Sequence, residues 1–90
     1  MSLSKKLKVT NSCGLHTRPA TLIVQYLQSC KSEVQFAYRD KIVDAKSVLN
    51  LLLLSVKKGA EIEISVEGSD AKKVMKNLEG MFRSNFGEKR

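Results

Sequence analysis

Apolar residues recur along this chain with two periods, and the places where the period changes mark its elements. Lys6-Leu7-Lys8-Val9-Thr10 alternates polar with apolar, which predicts a half-buried strand. From Thr17 the period lengthens: Ala20, Ile23, Val24 and Leu27 lie on one face of a helix. Pro19 falls in its first turn, where a missing N–H costs little. Val34, Phe36 and Tyr38 alternate again, and Arg39-Asp40 predicts a turn into a short strand at Lys41–Val43. Ser47 precedes a leucine-rich stretch that predicts a short helix over Val48 to Val56. Lys57-Lys58-Gly59 would close it, with cations at the helix C-terminus and glycine as a left-handed cap. Ile62, Ile64 and Val66 alternate against Glu61, Glu63, Ser65 and Glu67 as one more amphipathic strand. Gly68-Ser69-Asp70 offers a turn and an N-cap. Val74, Met75, Leu78, Met81 and Phe82 form the inner face of a last helix, after which Gly87 to Arg90 are expected to fray.

The order is β-α-β-β-α-β-α. Strands with one clean apolar face need helices on one side only, so the fold class is α+β: a four-stranded antiparallel sheet with three helices on one face. Ninety residues fit one domain, 1–90, with no repeat, linker or low-complexity segment.

Composition narrows the function classes. No stretch approaches the apolar length of a membrane span, the longest run being Leu51-Leu52-Leu53-Leu54. Met1 to Lys6 is followed by no hydrophobic segment, so a secretory signal is not expected. Cys13 and Cys30 are too few for a disulfide framework, and a reducing cytoplasm is the simplest location. Net charge is +7, and all of the excess lies in residues 1–60, a surface that would steer acidic partners toward that part of the chain. Nucleic acid is the other class of partner that a basic face suggests. The chain lacks an aromatic stacking stripe, zinc-finger spacing and an arginine-rich tract, so no nucleic-acid partner is expected.

The only histidine, His16, lies in Cys13-Gly14-Leu15-His16-Thr17-Arg18-Pro19-Ala20, where a strand gives way to a helix. If His16 caps that helix, the free N–H groups of the first turn point at whatever the imidazole carries, and the helix dipole favours an anion there. Arg18 can add a charge-assisted contact. In-line phosphoryl transfer needs mainly such positioning and charge neutralisation. With no carboxylate near it along the chain, His16 suits a carrier of the group better than a hydrolase. A polar loop residue or a cap with no further duty remains open on the residues alone. Neither a metal site at Cys13-x-x-His16 nor catalysis by Cys13 is expected: the remaining ligand candidate, Cys30, lies at the far end of the following helix, and catalysis would need a base and an oxyanion site where only His16 is nearby. No cofactor is called for.

Gly14-Leu15-His16-Thr17-Arg18-Pro19-Ala20 resembles the active-site signature of the HPr family, the histidine-containing phosphocarriers of the bacterial phosphoenolpyruvate-dependent phosphotransferase system. Asp44-Ala45-Lys46-Ser47-Val48 is similar to the family's regulatory segment, and Lys58-Gly59-Ala60-Glu61-Ile62 to the entry of its last strand. The similarity runs from about Lys6 to Phe82. It implies the HPr open-faced sandwich and a carrier that is not itself an enzyme. His16 would accept a phosphoryl group at Nδ1 from phospho-enzyme I and pass it to an enzyme IIA domain in sugar uptake. Arg18 would stabilise the phosphate, with a backbone contact from Thr17. Ser47 would be the target of an HPr kinase/phosphorylase, though a serine there can serve as an N-cap alone. Leu49 and Leu52 would dock partners, with Lys46 and Lys57 steering them. The carrier is expected to be a monomer without direct membrane insertion. A different reading keeps the same residues in a mainly regulatory or nitrogen-type module with little transport. The chain departs from the pattern at Asn50, where glycine is common, at Leu49 and Leu52, where methionines are common, and at Cys13, where many relatives carry serine. Stiff leucines in place of adaptable methionines suggest a narrower set of partners.

Overall fold

The structure, a computed structural model, describes residues 1–88. Its elements are β1 (Ser2–Lys8), α1 (Thr17–Leu27), β2 (Glu33–Tyr38), β3 (Lys41–Asp44), α2 (Val48–Leu53), β4 (Glu61–Glu67) and α3 (Ala71–Arg83), followed by a single 3-10 turn, Asn85–Gly87. The sheet order is β1-β4-β2-β3 and every pairing is antiparallel. Burial follows the alternation: Val34, Phe36, Ile62, Ile64 and Val66 lie against the helices, and their neighbours along the strands lie on the open side. Ile23 and Leu27 of α1, Leu51 of α2, and Val74, Met75, Leu78 and Phe82 of α3 close the same core. No described helix is long and apolar enough to cross a membrane.

β2 and β3 each run one residue beyond the expected span, from Glu33 and to Asp44, and larger differences arise at β1, α2 and the start of α3, each for a local reason. β1 begins at Ser2 and ends at Lys8, four residues earlier than expected at its start and two at its end. Leu3, Lys5 and Leu7 pair with Val66, Ile64 and Ile62, so a lysine occupies an inward position and hides the strand's period. The Lys5 ammonium reaches past the apolar layer to Glu79 of α3, 3.0 Å away. Helix α2 stops at Leu53, because Ser55 adopts a left-handed backbone (φ 56). The last N–H groups of that turn, on Leu54 and Ser55, bond three residues back, to Leu51 and Leu52. Gly59 therefore caps no helix; it turns the chain into β4 at φ 92. Asp70 stands at the start of α3, but its side chain makes no cap. The carboxylate instead accepts from the backbone N–H groups of Lys31 and Ser32, each at 2.9 Å, and from the Ser32 hydroxyl, tying the α1–β2 loop to α3.

The C-terminus is more ordered than a fraying tail. Phe86 is buried and packs edge-on to Phe82 with ring centroids 4.9 Å apart. The N–H groups of Gly87 and Glu88 bond to Ser84 and Asn85. The rest of the segment expected to fray, Lys89 and Arg90, lies outside the described residues.

Candidate functional site

His16 is the N-cap residue of α1, extended at φ −92 and ψ −167, and its side chain does not cap the helix. The imidazole is thus free of the local duty that serine or aspartate would perform there. Two first-turn donors, the N–H groups of Thr17 and Arg18, have no acceptor among the described residues; Pro19 has none to offer, and Ala20 donates to the His16 carbonyl at 3.1 Å. The Arg18 side chain is exposed and makes no ion pair among the described residues.

The loop that presents His16 is fixed by Gly14. At φ 67, its missing side chain lets the backbone lie against the next loop: a Cβ there would stand 2.4 Å from the Val56 carbonyl oxygen and 2.9 Å from Lys57 Cα. The Leu15 N–H donates to the same Val56 oxygen at 2.9 Å, and the Leu15 side chain is buried.

A carboxylate does lie beside the imidazole, contrary to the sequence-based expectation. His16 Nε2 is 3.0 and 2.9 Å from the two oxygens of Glu88, 72 residues further along the chain. Glu88 also accepts from Asn11 Nδ2 at 2.9 Å, and the same buried amide donates to the Gly14 carbonyl at 2.7 Å. Hydrogen bonding from His16 holds the Glu88 carboxyl below the usual carboxylate range, helped by Asn11 and by the nearby charge of Arg18. Partial desolvation opposes this without overcoming it. No local motif marks Glu88. The available signal was Phe86, placed four residues after Phe82, which docks the tail on the core and so delivers Glu88 to the loop.

The second segment is arranged around α2. Ser47 is its N-cap, and the hydroxyl accepts from the Asn50 N–H at 3.2 Å. Leu49 projects into solvent at 66% exposure, whereas Leu52 is half-buried against the core. The second outward leucine is Leu53, at 56%. Lys46 is half-buried with Nζ 3.5 Å from the Cys30 carbonyl, and Lys57 is exposed next to the loop that carries His16. Cys13 is exposed and Cys30 partly so, and both are free thiols. Among the described residues no group of three His, Cys, Asp or Glu side chains could hold a metal ion.

The family described as the phosphotransferase system (PTS) HPr component phosphorylation site matches residues 3–84. The phosphocarrier protein HPr of Chlamydia trachomatis is 36% identical over 86 residues, covering 96% of this chain and 79% of that protein. An HPr structure from Thermoanaerobacter tengcongensis superposes with a TM-score of 0.92 at 33% identity, covering 98% and 99% of the two chains. A dimeric HPr from the same organism matches with a TM-score of 0.76 at 35% identity, covering 91% and 94%. The fold, the extent of the match and the histidine at a helix N-terminus agree: this chain belongs to the HPr family, the phosphocarrier proteins of the phosphotransferase system.

Proposed function

We propose that this chain carries a phosphoryl group on His16 Nδ1, taking it from phospho-enzyme I and passing it to an enzyme IIA domain in sugar uptake. The observation that carries this reading is the Glu88 carboxylate on Nε2. A neutral imidazole has one N–H and one lone pair, and the carboxylate can only accept, so Nε2 keeps the hydrogen. Nδ1 is left with the lone pair. It can attack phosphorus without first losing a proton, the bond to enzyme I breaking as the bond to Nδ1 forms.

The phosphoryl oxygens then meet the free N–H groups of Thr17 and Arg18 and the positive end of α1. Arg18 adds a guanidinium that supplies up to two parallel contacts. Few contacts suit a carrier: they lower the barrier in both directions and do not trap the group. Leu49 and Leu53, with Lys46 and Lys57 around them, form the docking rim for both partners. A carrier that turns one face to two partners in succession works most simply as a monomer in the cytoplasm, and it needs no enzyme activity of its own.

Ser47 is the regulatory position in this reading, modified by an HPr kinase/phosphorylase. A phosphate there would add negative charge inside the basic rim and repel the acidic face of enzyme I. The test is transfer from phosphoenolpyruvate through a bacterial enzyme I, followed by discharge to an enzyme IIA domain. The protein should gain and then lose one phosphoryl group, and His16→Ala should gain none. Phosphorylation of folded His16→Ala at the wild-type rate would overturn the assignment.

A further inference from the structure

We propose a second anion site on this molecule, independent of His16: the cleft between the β2–β3 turn and the end of α2 binds a small phosphate-bearing molecule. Tyr38, Arg39, Asp40, Lys41, Ser55 and Lys57 line it over a floor that includes buried Leu54. Its volume of about 360 Å³ falls within the range of roughly 300–1,000 Å³ usual for small-molecule sites.

Three cations and one carboxylate meet there, a local balance of two positive charges. A phosphate monoester carries about −1.5 to −2 at neutral pH, which matches it. Neighbours do not already neutralise these groups. The ion pairs among the described residues are Lys5–Glu79 and His16–Glu88, neither of them in the cleft. Lys41 Nζ donates to the Leu53 carbonyl at 3.2 Å, which covers the negative end of α2 and leaves two further N–H donors. The Arg39 guanidinium stacks 5.2 Å from the centre of the Tyr38 ring, a cation–π contact that orients the fork while leaving its edge donors free.

The backbone points the same way. Arg39 (φ 58) and Ser55 (φ 56) are two of only four non-glycine residues with positive φ among those described, and both line this cleft. Glycine or asparagine is the ordinary choice for such a hairpin position. Arginine there spends backbone strain to place a guanidinium at the rim, and strained residues collect where ligands are held.

Chemical-shift titration of the ¹⁵N-labelled full chain tests the site, with inorganic phosphate in one arm, glycerol phosphate in a second and sodium chloride at matched ionic strength in a third. Saturable shifts at Tyr38–Lys41 and Ser55–Lys57 with either phosphate, and none with chloride, are expected. Tighter binding of the ester would identify the ligand as a monoester, and equal binding as the free ion. Arg39→Gly relieves the positive φ and should keep or raise the melting temperature while weakening binding at least about tenfold. Shifts confined to Thr17–Ala20, shifts equal in chloride, no saturable shift, or unchanged affinity in Arg39→Gly would each overturn the proposal.

Discussion

At the scale of single residues, the site depends on what holds the imidazole, and that residue was invisible to local reading. His16, Thr17 and Arg18 announce themselves within three positions, because the chemistry of a helix N-terminus is written in adjacent residues. Glu88 does not, because its approach is a tertiary event. Replacing Glu88 by Ala removes the acceptor that holds the hydrogen on Nε2, so phosphorylation of His16 by enzyme I should slow on the order of tenfold. Glu88→Gln retains an acceptor for Nε2–H and should slow it less. Stopped-time transfer assays decide this; equal rates in all three proteins would show that Glu88 is a bystander. Gly14 makes a different demand. A side chain at φ 67 costs about 1–2 kcal/mol from backbone conformation alone, and the contact with Val56 adds to it. Gly14→Ala should therefore lower unfolding free energy by about 2 kcal/mol or more in urea titration, with transfer impaired through a displaced loop.

At the scale of elements, what the sequence hid follows from competition between local pattern and packing. The helix periods of α1 and α3 were legible because each has a single wet face. β1 was obscured by one inward lysine, and α2 was overestimated because leucines that read as helix also fill the loop core, where Leu54 and Val56 are buried after the helix has ended. In α2, Ser47→Ala should cost about 1 kcal/mol, the usual loss of a side-chain N-cap, with little effect on phosphoryl transfer. Ser47→Asp keeps the cap but adds charge to the rim, and should slow phosphorylation of His16 by enzyme I; unchanged kinetics would exclude the proposed switch. Asp70 governs acid stability in part. Its carboxyl is held below its ordinary value of 3.8 by hydrogen bonds from the Ser32 hydroxyl and the Lys31 backbone. A lowered folded pKa means that the stabilisation is present above the unfolded value and fades as pH falls through the folded one. Asp70→Asn should show a shallower loss of stability below about pH 4 than the parent, measured by circular dichroism against pH.

At the scale of the whole molecule, the charges are sorted between faces. The open side of the sheet presents Glu33, Asp44, Glu61, Glu63 and Glu67 with Lys6 and Lys8 opposite. Five of the nine acidic residues thus lie on that side, so the remaining surface, with His16 and α2 on it, is more basic than the net charge of +7 conveys. Transfer from enzyme I should be steered by this field. Its second-order rate should fall by roughly tenfold or more as salt shortens the screening length from about 30 Å at 0.01 M to about 8 Å at 0.15 M. Lys57→Gln should slow the low-salt rate, and Glu63→Gln on the open face should not. The most informative measurement is which nitrogen of His16 carries phosphorus. Long-range ¹H–¹⁵N correlation of the imidazole, recorded before and after reaction with phosphoenolpyruvate, magnesium and enzyme I, reads both ring atoms. The expected result is a hydrogen on Nε2 in both states, an acid-labile and base-stable phosphate bonded to Nδ1, and no such signal in His16→Ala. Phosphate on Nε2, or none on a folded protein given an active enzyme I, would contradict it.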